Sequence, residues 1–181
     1  MDSLITEKKM LRNTMMQERD NMPAAVKAVY DSIICDRLET LIQERDARVV
    51  HSYLPMGSEV DVFPLLEYLL SKGITIVSPK TMPARQLENL VLHSITDLET
   101  GKWGTHHPAN STVYTGVIDF FIVPGLAFDR HHYRLGYGKG YYDTHLATQP
   151  LVYKAGVCYP FQVIDKVPIE THDVQLDEVI Y

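Results

Sequence analysis

Short apolar segments that alternate with amphipathic helical segments are the feature that most limits the folds open to this chain. The clearest of them, Val117–Val123, consists of valine, isoleucine and phenylalanine around a single aspartate, and Pro124 follows it directly. Segments of that length, composition and ending are typical of buried strands. Strands that alternate with helices predict an α/β fold with a largely parallel sheet flanked by helices.

Apolar periodicity and helix breakers define the helical segments. Ser3–Asp20 is one predicted helix, and a second, with an apolar stripe on one face, follows Pro23. A third runs between Pro64 and Gly73, and Tyr141–Ala147 is the fourth. The other predicted strands are Val49–Leu54, Ile74–Val77, Leu90–Ile95, Ala155–Cys158 and Val174–Val179. The length of 181 residues suits one domain, so we predict a single three-layer, Rossmann-like domain over residues 1–181.

Three stretches between these elements are predicted as loops, namely Pro79–Glu88, Asp97–Thr115 and Pro124–Gly140. The last two are long for a compact domain, and loops of that length often carry function. In an open parallel sheet, ligands bind beyond the carboxyl ends of the strands. The loop that carries Glu59 and the loop Pro124–Gly140 both follow predicted strands, so we expect the functional site there.

Charge and cysteine content argue against several classes of protein. The formal net charge is −6, whereas a broad nucleic-acid-binding surface needs clustered lysine and arginine. The two cysteines, Cys35 and Cys158, form no Cys-x-x-Cys pair, so we expect free thiols in a reducing compartment rather than a zinc site. The histidine pairs at 106–107 and 131–132 lack a third ligand at useful spacing, and we expect no zinc there either.

The chain shows neither a signal peptide nor a membrane span by its sequence pattern. Met1–Lys9 carries acids where a signal peptide has basic residues, and no apolar core follows. The longest apolar stretch, Val117–Phe128, is interrupted by Asp119 and Pro124 and is too short to cross a bilayer. We therefore expect a cytoplasmic protein, a monomer or a weak dimer, that binds neither nucleic acid nor membrane.

A glycine-rich run is the most distinctive motif of the chain. Its sequence is Arg134-Leu135-Gly136-Tyr137-Gly138-Lys139-Gly140-Tyr141-Tyr142-Asp143. Alternating glycines let the backbone take positive φ angles and approach a ligand closely, so that successive amides can point at a phosphate. The helix predicted after Gly140 adds its N-terminal amides, and Arg134 and Lys139 add full positive charge. Asp143 is placed to bind a Mg²⁺ ion that bridges phosphate oxygens.

The glycine-rich run differs from two common phosphate-binding motifs. It is not a Walker A loop, because Gly-x-x-x-x-Gly-Lys-Ser/Thr is absent, and it is not the Gly-x-Gly-x-x-Gly dinucleotide motif. A run of alternating glycines without other features is a flexible surface turn about as often as it is a phosphate-binding loop. The two cations, the tyrosines and the acid within ten residues favour the phosphate-binding interpretation.

Several segments together resemble the 5-formyltetrahydrofolate cyclo-ligase family. The resemblance is strongest in Pro124–Asp129 and Arg134–Asp143, and it extends to Lys8–Arg12, to Leu54 with Ser58–Asp61, and to Thr171–Asp173 with Leu176, Asp177 and Val179. The chain departs from the family pattern at two positions. Tyr137 stands where some members carry arginine, and His107 stands where an acid often precedes the proline. The sequence therefore predicts no specific contact with the folate tail at these two positions.

The resemblance implies roles for individual residues. The residues implied to bind ATP are Lys8, Arg12, Arg134, Leu135, Gly136, Tyr137, Gly138, Lys139, Gly140, Tyr141 and Tyr142, with Arg134 and Lys139 as catalytic residues. Those implied to bind the folate are Leu54, Glu59 and Trp103. Asp143 and Asp173 are implied to hold Mg²⁺.

Without the resemblance, several of these residues have simpler interpretations. Lys8 and Arg12 lie one turn apart and would form a solvated basic face. Glu59 would be a helix cap, although Asp61 is better placed for that role, and Asp173 would be a surface acid. Trp103, the single tryptophan, would pack in a core as readily as against a ligand.

The resemblance also implies a reaction. 5-Formyltetrahydrofolate and ATP would give 5,10-methenyltetrahydrofolate, ADP and phosphate, with ATP as co-substrate and Mg²⁺ as cofactor. Phosphoryl transfer needs mainly positioning and charge stabilisation, and no nucleophilic side chain is required. Two other classes remain open on the residues alone, a non-catalytic nucleotide-binding module and a sugar-phosphate isomerase or CoA-transferase-like enzyme on a related sheet.

Overall fold

Four α-helices and eleven strands make up the part of the chain that the computed structural model describes, residues 2–181. The helices are α1 (Asp2–Asp20), α2 (Ala24–Glu44), α3 (Phe63–Ser71) and α4 (Tyr141–Ala147). The strands are β1 (Val49–Ser52), β2 (Thr75–Thr81), β3 (Leu87–Leu92), β4 (Leu98–Thr100), β5 (His106–Pro108), β6 (Phe120–Pro124), β7 (Ala127–Asp129), β8 (Arg134–Leu135), β9 (Tyr153–Val157), β10 (Val163–Ile164) and β11 (Glu178–Ile180). None of these helices is both long enough and apolar enough to cross a membrane.

A six-stranded sheet with the order β11-β9-β6-β1-β2-β3 forms the central layer. Every neighbouring pair is parallel except β2 and β3, which pair antiparallel at one edge. The carboxyl ends of the parallel strands therefore share one side of the sheet. The predicted α/β class with a largely parallel sheet is confirmed.

Strand β6 shows why its sequence is apolar throughout. Phe120, Phe121, Ile122 and Val123 are all fully buried. Phe120 and Ile122 belong to the core cluster that α2 and α3 cover, whereas Phe121 and Val123 belong to the cluster on the opposite face, under α4. A parallel strand covered on both faces has no solvent side that would select polar residues.

A second, smaller sheet lies beside the first. It has the order β10-β7-β8, and α1 packs on it through Met15, which shares a small core with Leu126 and Leu135. This packing brings the first helix of the chain to the residues that precede the glycine run. Both cysteines are free thiols, with Cys158 buried and Cys35 half-buried.

Several predicted boundaries were wrong, and short strands account for most of them. Strand β2 continues to Thr81 and β3 begins at Leu87, so the predicted loop Pro79–Glu88 is mostly a hairpin. The predicted loop Asp97–Thr115 contains the antiparallel pair β4–β5, and Pro124–Gly140 contains β7 and β8. Strands of two or three residues carry too little alternation to be recognised in a sequence.

The predicted strand ends also moved. The strand expected at Val117 starts at Phe120, and the one expected at Val174–Val179 is confined to Glu178–Ile180. The helix predicted to start within Tyr141–Ala147 is α4, which begins at Tyr141.

A buried histidine lies between the central sheet and α4. His51 on β1 is fully buried against Phe121 and against His145 of α4, with ring centroids 4.7 and 5.4 Å apart. Neither ring nitrogen has a well-formed hydrogen bond. Burial, together with the neighbouring His145, lowers the pKa of His51 to about 3. The ring is therefore neutral in the folded protein at neutral pH.

We expect His51 to contribute to acid denaturation. The unfolded chain binds a proton near the ordinary histidine pKa of about 6.5, whereas the folded protein does not until about pH 3. The stability linked to His51 is therefore complete above about pH 6.5 and falls as the pH drops toward 3, by roughly 4–5 kcal/mol in total. Urea unfolding from pH 7 to 4 should show a flatter profile for His51→Gln than for the parent. The exposed His131→Gln variant is the control, and an equal slope for all three proteins would contradict this expectation.

Candidate active site at the glycine loop

The glycine loop, residues 136–140, joins β8 to α4. Gly138 and Gly140 have φ angles of 88° and 72°, in the left-handed region that favours glycine, and Gly140 immediately precedes α4. Only a residue without a Cβ takes these angles at little cost. The glycines at 138 and 140 are therefore required by the backbone path.

Arg12 from α1 lies across this loop. Its Nε donates a hydrogen bond of 2.8 Å to the carbonyl of Gly136. A Cβ atom on Gly138 would lie 3.0 Å from the Arg12 guanidinium carbon, so a side chain there would push the guanidinium away by a few tenths of an ångström. The structure thus brings Arg12 and the loop together, and Arg12 is not part of a merely solvated basic face.

Lys8, one turn earlier on α1, faces acids near the end of the chain. Its Nζ lies 2.9 Å from Glu170 Oε2 and 3.0 Å from Asp173 Oδ2, and the residue is 7% exposed. Burial lowers the pKa of Lys8, but the hydrogen bonds with Glu170 and Asp173 outweigh it and raise that pKa. Lys8 is therefore a buried, charged partner of the predicted metal ligand Asp173.

Arg134 and Asp143 form a second ion pair beneath the loop. Arg134 Nη2 lies 3.1 Å from Asp143 Oδ2, and both side chains are largely buried. A Cβ atom on Gly136 would lie 2.7 Å from Arg134 Nη1, so this glycine leaves room for the arginine. The guanidinium also lies over the ring of Tyr142, with 5.4 Å from its carbon to the ring centroid.

The two predicted metal ligands are neighbours but do not share one cluster. Asp173 lies with Glu170 and His172, whose ligand atoms are within 4.8 Å of one another. Asp143 is outside that group, although its Oδ1 accepts a 3.5 Å hydrogen bond from the backbone N–H of Val174. Carboxylate oxygens are the ligands that Mg²⁺ prefers, and one or two of them suffice because the ion keeps several waters. The donor set present here fits Mg²⁺.

Trp103 and Lys139 meet at the entrance of the site. Lys139 Nζ lies 4.3 Å from the centre of the indole ring, a cation–π contact. Trp103 is 69% exposed and has a φ of 63°, so it is not a core residue, and its backbone takes a left-handed conformation that is rare for a large side chain. The indole is thus available to a ligand.

Arg85 lies on the other side of the loop and was missed in the sequence. Its φ is 59°, and its side chain would lie 3.6 Å from a Cβ on Gly140. Arg85 occupies a turn between β2 and β3, and a single arginine in such a turn carries no sequence signal.

Glu59 lies in a buried position beside the same loop. It is 4% exposed, its Oε2 accepts a 2.9 Å hydrogen bond from the Met56 N–H, and its Oε1 accepts one of 2.5 Å from the Tyr137 hydroxyl. Burial raises the pKa of Glu59, although these hydrogen bonds oppose the rise. Asp61, not Glu59, accepts a hydrogen bond at the start of α3, from the Phe63 N–H at 3.0 Å. Glu59 is therefore not needed as a helix cap.

The two other predicted folate residues lie in different surroundings. Leu54, which follows β1, is 5% exposed and packs in the main core. Trp103 is at the entrance, next to the glycine loop rather than in the core. A further buried cation, Arg19 of α1, donates a 2.8 Å hydrogen bond to the Tyr137 hydroxyl. Arg19 was missed in the sequence because no motif contains it.

Comparison with known protein families identifies the family to which the chain belongs. The model of the 5-formyltetrahydrofolate cyclo-ligase family matches residues 4–181. The chain belongs to this family. A mouse relative named 5-formyltetrahydrofolate cyclo-ligase is 26% identical over 188 residues, which cover 96% of this chain and 93% of the relative.

Solved structures of the cyclo-ligase family share the fold. The 5,10-methenyltetrahydrofolate synthetase from Mycoplasma pneumoniae matches with a TM-score of 0.78 and 28% identity, over 96% of this chain and 97% of that chain. The enzyme of the same name from Aquifex aeolicus matches with a TM-score of 0.82 and 31% identity, over 96% of this chain and 88% of that chain. The family resemblance and the fold predicted from the sequence are both confirmed.

We expect Gly138→Ala to be more destabilising than its backbone angle alone implies. A left-handed conformation costs a non-glycine residue roughly 1–2 kcal/mol, and the new Cβ would also push against Arg12. Gly57→Ala is the matched control, since its φ is 54° and a Cβ there meets no atom within 4 Å. Denaturant unfolding should show the larger loss for Gly138→Ala. The excess should shrink when Arg12 is also changed to alanine, and a strictly additive double variant would refute the proposed clash.

Proposed function

We propose that the chain catalyses the ATP-dependent cyclisation of 5-formyltetrahydrofolate to 5,10-methenyltetrahydrofolate, with release of ADP and phosphate. One observation carries the proposal. The glycine loop follows Arg134, contains Lys139 and is bound by Arg12. Through Tyr137 the loop contacts the buried carboxylate of Glu59, which is not needed to cap α3. An anion site and a site for N–H donors thus adjoin one another.

The phosphates of ATP would bind at the glycine loop. Gly136, Gly138 and Gly140 give access to backbone amides, and the neighbouring cations supply the charge that phosphoryl transfer requires. We assign ATP to Lys8, Arg12 and residues 134–142, with Arg134 and Lys139 next to the transferred phosphoryl group. Lys139 would leave the ring of Trp103 when phosphate offers a stronger partner, because a charge-assisted hydrogen bond exceeds an exposed cation–π contact.

The folate would bind between Glu59 and the entrance. The ring edge of a pterin presents amino and ring N–H donors, and a carboxylate with two acceptor oxygens suits them. Leu54 would contact the ring from the apolar side, and Trp103 would cover the outer part of the substrate.

The chemistry then needs no nucleophilic side chain. A formamide oxygen is a poor leaving group, and its phosphorylation by ATP makes it a good one. The neighbouring secondary amine attacks the activated carbon and gives up its proton, which closes the ring. The C–O bond then breaks, and the oxygen leaves with the phosphate that takes up the bonding electrons. Mg²⁺, held by Asp143 and Asp173, would neutralise charge on the phosphate oxygens. The residues of the chain orient the two substrates and keep the cations in place.

A direct assay tests the proposal. The purified protein, with 5-formyltetrahydrofolate, ATP and Mg²⁺, should produce the near-ultraviolet absorbance of the methenyl product and one ADP per product. A non-catalytic nucleotide-binding module would bind ATP and give no product. A sugar-phosphate isomerase or a CoA transferase would be indifferent to ATP. Absence of product with all three components present would refute the proposed function.

Asp143→Asn tests the metal assignment. The variant keeps the size of the side chain but loses its negative charge. Loss of even an indirect contact with a metal lowers metal affinity roughly tenfold, so the Mg²⁺ concentration for half-maximal rate should rise by at least that factor. Asp46→Asn is the control, because Asp46 forms an exposed ion pair with Arg48 at the opposite end of β1. Metal titrations of Asp143→Asn and the parent that overlay would show that Asp143 serves only to hold Arg134.

Glu59→Gln separates folate from ATP. The amide offers a donor where the pterin also presents donors, and an unpaired buried donor costs about 1–3 kcal/mol. The KM for the folate should therefore rise roughly tenfold or more, while the KM for ATP stays nearly constant. Isothermal titration with the folate and with a non-hydrolysable ATP analogue measures both affinities. Glu67→Gln, on the exposed side of α3, is the control. Equal losses for the two ligands would mean that Glu59 supports the fold rather than the pterin.

A further inference from the structure

Arg19 is a buried cation whose role the family motifs do not explain. It is 6% exposed and lies near the end of α1. Its Nε donates a 3.0 Å hydrogen bond to Ser58 Oγ, and its Nη2 donates one of 2.8 Å to the Tyr137 hydroxyl. It forms no ion pair with any carboxylate among the residues that the structure describes. A buried charge with only hydroxyl partners is costly, so a nearby negative charge is expected to offset it. Each hydroxyl donates in turn to a carboxylate, Ser58 to the exposed Asp20 and Tyr137 to the buried Glu59.

The Tyr137 hydroxyl connects this cation to Glu59. A phenol has one proton to donate, and Tyr137 donates it to Glu59 Oε1 at 2.5 Å while its oxygen accepts from Arg19. Tyr137 is 38% exposed as a residue, but its hydroxyl contacts two buried groups, Arg19 and Glu59. The three residues come from α1, from the loop after β1 and from the glycine loop. Arg19, Tyr137 and Glu59 therefore form one chain of charge-assisted hydrogen bonds.

We propose that Arg19 is a positioning residue: through the Tyr137 hydroxyl it holds the Glu59 carboxylate in the charged form and the orientation that accept hydrogen bonds from the substrate ring. This inference rests on the function proposed above, since it concerns how the same pocket recognises a ring edge rich in N–H donors. Arg19 itself does not touch the reacting atoms.

The surroundings of Glu59 explain why it needs a cation. The titratable groups that face it are Arg19 from α1, Tyr53 after β1, Tyr137 from the glycine loop, Tyr142 from α4 and Tyr159 after β9. Burial raises the pKa of Glu59, and the Tyr137 hydroxyl, the Met56 amide and the Arg19 charge lower it. The tyrosines are neutral, because burial raises the pKa of Tyr53, Tyr137, Tyr142 and Tyr159. Arg19 is thus the cation that favours the carboxylate.

A direct titration of Glu59 tests this role without any substrate. NMR of the protein with ¹³C-labelled glutamate carboxyls should show a higher Glu59 pKa in Arg19→Gln, because the variant removes the positive charge that lowers this pKa. Tyr137→Phe should also raise the Glu59 pKa, because it removes the hydroxyl that donates to Glu59 but keeps the ring that packs against Arg19. Arg19→Lys keeps the positive charge, so the Glu59 pKa in this variant should lie between those of the parent and Arg19→Gln. An unchanged Glu59 titration in Arg19→Gln would overturn the proposal.

Kinetics give the second measurement. In Arg19→Gln, the folate KM at neutral pH should rise about threefold to tenfold, the ATP KM should stay within about twofold, and the acid limb of kcat/KM for the folate should move to higher pH. In a Glu59→Gln background, Arg19→Gln should change the folate KM no further. Equal rises in both KM values with an unmoved acid limb would mean that Arg19 merely anchors α1, and this would overturn the proposal.

The two proposals fail in different ways. If the parent protein makes no methenyl product, the proposed function fails, and the substrate-free titration still decides whether Arg19 controls Glu59. If the parent is active and the Glu59 titration does not respond to Arg19→Gln, the function stands and the positioning role fails.

Discussion

The hydrogen bond from Arg12 to the carbonyl of Gly136 fixes the first helix against the glycine loop, and the rest of the site depends on that placement. The same helix places Lys8 against Asp173 and Arg19 against Tyr137. Because a helix is rigid over these lengths, the three basic residues are held at fixed distances from one another. The core that Met15 forms with the small sheet sets the position of the helix as a whole.

Paired charges explain how an acidic protein keeps a cationic pocket. Arg134 is matched by Asp143, and Lys8 by Glu170 and Asp173, so these cations are neutralised in place. Such buried pairs contribute little net stability, because desolvation offsets much of their attraction. Their value lies in holding each charged group in a defined position around the glycine loop.

The parts of the fold and site that the sequence predicted are those with a local cause. The continuous apolar run of β6 marks a strand that is covered on both faces, and the start of α4 was predicted because Gly140 precedes it. The positive φ angles of Gly138 and Gly140 likewise follow from the motif. These features are determined by residues that are adjacent in the chain.

The parts that escaped prediction depend on contacts between distant segments. The partners of Lys8 are set by how α1 packs on the C-terminal segment, and the partners of Arg19 by how α1 packs on the loops that carry Ser58 and Tyr137. No pattern in α1 specifies these partners. The short pairs β4–β5 and β7–β8 were missed for a related reason, since their stability comes from pairing rather than from their own composition.

The contact between Lys8 and Asp173 joins residues 165 positions apart, and this separation has a consequence for biosynthesis. A chain emerging from the ribosome presents α1 early, long before the acid that neutralises Lys8 has been made. Contacts of such large sequence separation form late, after the cost of closing the intervening loop has been met. During translation α1 therefore exposes unpaired basic residues and the apolar side that includes Met15, and a chain truncated before the C-terminal segment would hold an incomplete site.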